Sequence, residues 1–109
     1  MSATAQPAAG SPEAHVLGEL MVAAGKAGQQ YKSQVLGYVG TFDAKIENGI
    51  VVLEGDVEAK LPAPVKVVVQ TLVGFVNTYI DANIVSLEGD AYDALCNVLI
   101  SEGTKLQAS

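Results

Sequence analysis

The dipeptide Asn48-Gly49 constrains this chain more than any other feature. Asn-Gly set between alternating apolar residues is the signature of a type I′ turn, the two-residue connection that matches the twist of paired strands. A two-residue turn fixes the register around it. Glu47 pairs with Ile50, and outward from there Ile46 faces Val51, Ala44 faces Leu53, Phe42 faces Gly55, Gly40 faces Val57 and Tyr38 faces Ala59. Every residue from Ile46 and Val51 outward in that set is apolar or glycine, so together they define one buried face. The opposite face pairs Lys45 with Val52, Asp43 with Glu54, Thr41 with Asp56 and Val39 with Glu58. The spacing predicts a β-hairpin over residues 35–59 with one apolar and one acidic side.

Helices flank it. Ser11-Pro12 supplies an N-cap and a first-turn proline, with Glu13 favourable to the helix dipole. Leu17, Leu20, Met21, Ala24 and Tyr31 then recur at helical spacing. Gly18, Gly25 and Gly28 also share a face. Each weakens a helix by up to about 1 kcal/mol relative to alanine. Two readings stand side by side: a helix that frays near Gly28, or a small-residue stripe that admits a second helix closely. Pro62 and Pro64 break the hairpin and launch a helix over residues 63–81, with Val65, Val68, Val69, Leu72, Val76 and Ile80 as its apolar stripe and Lys66, Gln70, Asn77 and Asp81 as its polar one. Residues 84–90 (IVSLEGD) nearly repeat residues 50–56 (IVVLEGD), so 84–87 is expected to form a third strand. Asp90 then caps a last helix through Leu99 or Ile100, with Tyr92, Leu95, Cys96 and Leu99 inward, Asp93, Asn97 and Ser101 outward, and Gly103 ending it. The expected fold class is α+β: one small domain over residues 11–103 in the order α-β-β-α-β-α, with an antiparallel β-hairpin packed against helices. Residues 1–10 form a flexible or partner-docked tail, and residues 104–109 a short C-terminal one.

The stretch from Ala44 to Val57, with Gly49, Val51, Leu53, Gly55 and Val57 in a Val-x-Leu-x-Gly-x-Val setting, resembles the hairpin of BON domains. The helix carrying Val73-Gly74-Phe75 is similar to the helix that follows it in that family, and the resemblance spans residues 33–87. It implies a module that binds phospholipid membranes or an envelope partner.

Composition narrows the chemistry. Half of the 109 residues are hydrophobic and only 17% are charged, against about a quarter in an average globular chain. Self-association or a large partner would absorb that apolar excess. The net charge is −6, and six lysines with no arginine are scattered along the chain. That balance disfavours nucleic acid and anionic lipid, which need a basic face. Residues 1–11 lack the basic and apolar regions of a signal peptide, and Val67-Val68-Val69 is too short to cross a bilayer. The expected location is cytoplasmic or within an assembled particle.

A single cysteine, Cys96, and a single histidine, His15, offer no ligand spacing for zinc, and a Cys–His nucleophile pair would need the fold to join them. Asp81-Ala82-Asn83 opens like a calcium loop but lacks its later glycine and glutamate. No catalytic residue, metal ligand or cofactor is expected. The one polar constellation is Asp43, Glu54, Asp56 and Glu58 on the outer hairpin face, a candidate interaction face for a cation or a basic partner. The expected function is that of a non-catalytic structural protein that self-associates, such as a subunit of a phage particle or other large complex. The alternatives are a BON-like module on membrane lipid or an envelope partner, and a small acidic adaptor or inhibitor.

Overall fold

A computed structural model of the chain describes residues 11–54, 57–85 and 90–108. The first helix, α1 (Pro12–Gln30), starts where the sequence places it: Ser11 Oγ accepts the Ala14 N–H at 3.1 Å. It runs through all three glycines without fraying. One residue later α2 (Lys32–Val39) begins, its Val35 N–H donating to the Tyr31 carbonyl at 2.9 Å. Here the expectation of a strand from residue 35 is corrected. Val35 and Val39 are four apart, a spacing that puts both on one face of a helix as well as of a strand. Both are buried. Gly40, expected opposite Val57, instead ends α2: its φ of 74° and ψ of −70° let the Thr41 N–H reach the Val39 carbonyl at 2.8 Å. This is a γ-turn of the rare hand, which glycine tolerates.

The hairpin is shorter than expected but in the expected register. Strands β1 (Ala44–Glu47) and β2 (Ile50–Leu53) pair Ala44 with Leu53, Lys45 with Val52, Ile46 with Val51 and Glu47 with Ile50. Asn48 and Gly49 have φ of 54° and 81°, both positive as a type I′ turn requires. Its apolar face is only partly covered. Val51 is buried and Ala44 and Leu53 are half-buried, but Ile46 is 42% exposed. Val57 is buried, and residues 58–60 form a 3-10 turn rather than a strand.

Helix α3 (Ala63–Tyr79) buries Val65, Val69, Leu72 and Val76, and Ile80 just beyond it, with Val68 half-buried. Asn77, expected to face water, does not. Its amide accepts the Val51 N–H at 2.8 Å and donates to the Val51 carbonyl at 2.9 Å. In an antiparallel hairpin of this register those two groups point away from β1, so Asn77 closes the outer edge of β2. After α3, the Asp81 carboxylate accepts the Asn83 N–H at 2.9 Å within a 3-10 turn, Ala82–Ile84. The third strand expected over residues 84–87 is therefore replaced at Ile84 by that turn, and residues 86–87 lie outside the described residues. Among the described residues the sheet has two strands.

Helix α4 (Ala91–Ala108) starts with the Asp90 carboxylate accepting the Tyr92 N–H at 2.9 Å. It continues past Gly103, which neither ends the helix nor leaves residues 104–108 as a tail. The reason is contact with α1, whose Gly18, Gly25 and Gly28 line the seam between the two helices. A Cβ on Gly18 would lie 2.5 Å from the Gly103 carbonyl oxygen, one on Gly103 would lie 2.7 Å from the Gly18 oxygen, and one on Gly25 would lie 2.7 Å from the Cys96 oxygen. At the end of the seam Tyr92, fully buried, donates its hydroxyl to the Gly28 carbonyl at 2.6 Å and meets Phe42 edge-on, ring centroids 5.2 Å apart. The buried side chains of all four helices and the hairpin form one apolar core.

Identical substitutions should therefore have opposite signs. Gly25→Ala is expected to destabilise by about 1–3 kcal/mol, because the seam cannot accept the methyl group. Gly37→Ala, whose Cβ meets nothing within 4 Å, should stabilise by about 0.5–1 kcal/mol through helix propensity. Urea denaturation of both variants measures the pair.

Candidate functional site

The acidic hairpin face is only partly assembled. Asp43 and Glu54 sit directly across from one another, the Glu54 N–H donating to the Asp43 carbonyl at 3.0 Å, and both side chains are exposed. They line an open cleft of about 490 Å³ with Thr41, Val57 and Lys60. Lys60, from the 3-10 turn, lines the same cleft. Glu58 is drawn away instead, accepting from Gln70 Nε2 on α3 at 3.1 Å. Asp56 lies outside the described residues. Among the described residues no group of three His, Cys, Asp or Glu side chains is placed to hold a metal ion.

The structure separates the lone histidine from the lone cysteine. His15 lies on the exposed side of α1 beside Glu19, Nε2 to Oε1 3.3 Å. The Cys96 thiol abuts Gly28, thirteen residues further on, which is about 20 Å along a helix. Cys96 is fully buried, and burial, with a smaller push from Asp93 and Asp90, raises its thiol to about 12. A second charged cluster ties α2 to the start of α4: the Lys32 ammonium lies 2.5 Å from Asp93 and 3.1 Å from Asp90. Its hydrogen bond to Asp93, then that to Asp90, holds the lysine above its ordinary range.

A third surface was not singled out in the sequence. On α1, Val16 and Leu20 are 54% and 53% exposed, and on α3 Val67 is 60% exposed. Val16 and Leu20 frame one shallow depression, Ala24, Ala27, Val67 and Thr71 frame the next between the helices, and Thr71, Gly74 and Thr78 continue up α3. Glu13 is the only charged side chain lining any of the three. Even the Thr71 hydroxyl is turned inward, donating to the Val67 carbonyl at 2.8 Å. The signal was present: Lys66 is the only charged residue of α3, and the stripe 16-20-23-27 on α1 runs beside its buried one. No helix among the described residues is long and apolar enough to cross a membrane.

No family model, curated protein or solved structure matches the chain.

The buried thiol sets a pH dependence. In the unfolded chain Cys96 ionises from about pH 9, whereas in the folded chain it keeps its proton to about 12. Over that interval the folded state holds the extra proton, so stability falls as pH rises. Tyr92, also raised chiefly by burial, acts in the same direction. Urea midpoints should drop steadily above pH 9, and a thiol reagent at pH 8 should label the protein only once it unfolds.

Proposed function

We propose that this chain is a non-catalytic structural subunit that assembles with copies of itself, as one component of a larger particle or complex. The observation that supports this reading most is the neutral face shared by α1 and α3. The molecule carries a net charge of −6, so copies repel one another across most approaches. The α1–α3 face is a surface on which two copies can meet with Glu13 as the one charged side chain among those lining its depressions. It also exposes Val16, Leu20 and Val67, side chains whose removal from water stabilises contact by roughly 25 cal/mol per Å². The buried, poorly ionisable Cys96 and the remote His15 fit a scaffold better than a nucleophilic site.

Light scattering on a sizing column tests the reading. The wild-type chain is expected to elute as a defined oligomer. Leu20→Glu and Val67→Glu should each lower the mass while leaving the melting temperature of the dilute protein nearly unchanged, since exposed substitutions usually shift stability by no more than about 0.5 kcal/mol. A wild-type monomer at high micromolar concentration would overturn it.

A further inference from the structure

Among the described residues the hairpin has a second, open edge. Asn77 occupies the outer edge of β2, but β1 is the other edge of the two-stranded sheet. The alternation of an antiparallel ladder turns the backbone groups of Lys45 and Glu47 toward β2 and those of Ala44 and Ile46 outward. The Glu54-to-Asp43 hydrogen bond and the Asn77 clasp on Val51 follow the same alternation. An incoming antiparallel strand must therefore bond to Ala44 and Ile46.

We propose that the occupant of this edge is β1 of a second copy, paired antiparallel about a two-fold axis at Ile46, so that two hairpins join into one four-stranded sheet. The inference deepens the self-association reading and rests on it. Parity leaves three registers for two copies of β1. Pairing Ala44 with Ile46 of the other copy sets Lys45 against Lys45, a repulsion between residues directly opposite. Pairing Ala44 with Ala44 draws in residues 42 and 43, which lie outside the strand, and Phe42 is already buried in the core. Pairing Ile46 with Ile46 keeps the backbone bonds of Ile46 within β1, leaves Ala44 opposite Asn48 of the other copy's turn, and sets Lys45 opposite Glu47 of the other copy, twice by symmetry. That is a non-hydrogen-bonded pair, in which facing side chains approach most closely. Within one chain Lys45 Nζ already lies 3.0 Å from Glu47, so the four charges alternate in sign across the axis. On the other face, the two Ile46 side chains, each 42% exposed, cover one another. Charge excludes the register that opposes Lys45 to Lys45, and the burial of Phe42 with the exposure of Ile46 selects between the other two.

The test is a charge swap in the full chain. Lys45→Glu alone, or Glu47→Lys alone, sets like charges opposite across the axis, and each variant should show half the wild-type mass by light scattering. Mixed one to one, the two variants regain complementary pairs, and the wild-type mass should return. Both positions are solvent-exposed, and circular dichroism checks that each variant keeps the wild-type helix content. Single variants that retain the wild-type mass, or a mixture that fails to recover it, would overturn the β1 pairing while leaving self-association through α1 and α3 standing. A wild-type chain that remains monomeric would overturn both.

Discussion

The contact on which the rest of the structure depends is backbone against backbone, between α1 and α4. Helices ordinarily keep their axes 8–10 Å apart because side chains intervene. Gly18, Gly25, Gly28 and Gly103 remove those side chains, and the gaps are so filled that a methyl group at any of them would overlap an atom of the neighbouring helix or of α3. Close approach lets Tyr92 reach the Gly28 carbonyl, which in turn fixes Phe42 and the start of the hairpin. It also places Asp90 and Asp93 beside Lys32, tying α2 to the same helix end. The glycines lower helix propensity locally. Packing along almost the full length of both helices more than offsets that.

Among the described residues the hairpin is held to this helical frame by its apolar contacts with the core and by the polar side chain of Asn77. Asn77 gives Val51, on the outer edge of β2, the hydrogen bonds that a third strand would have supplied there. An exposed two-stranded hairpin is marginal on its own, and an amide fixed on a packed helix satisfies both free groups of Val51 without exposing them to other chains. Among the described residues β1 has no such guard. The asymmetry between the two edges, one capped and one open, is what makes the hairpin suited to joining a second copy, just as the neutral α1–α3 face is suited to meeting one.

How much of this was legible follows from which signals were local. Ser11, Asp90 and Asn48-Gly49 act through their own backbone neighbours, so the helix starts and the hairpin register read directly from the residues. The apolar stripe of α3 was equally plain because its period is long and regular. Residues 32–39 were not, since Val35 and Val39 satisfy both a helical and a strand period and only the packed core decides between them. The repeat misled for a related reason. Val51 and Val85 are both buried, while Ile50 and Ile84 are both exposed, yet one copy lies in a strand and the other begins in a 3-10 turn. Over the described residues the same pattern of burial was met by two backbone paths. Of the acidic face, the Asp43–Glu54 juxtaposition was legible from register alone. The diversion of Glu58 to Gln70 was not, because it depends on where α3 lies. Gly103 was misread as a stop signal because a glycine near a helix end serves a cap or a close contact equally well, and only the presence of Gly18 opposite distinguishes the two.

The most direct measurement is a double-mutant cycle on the seam itself, with Gly18→Ala, Gly103→Ala and the double variant compared by urea denaturation. If both methyl groups push the same two backbones apart, the first substitution already opens the space the second needs. The double variant should then be more stable than the sum of the single losses implies, by at least about 0.5 kcal/mol. Strict additivity, or single variants as stable as the wild type, would contradict an α1–α4 seam closed by glycine contact.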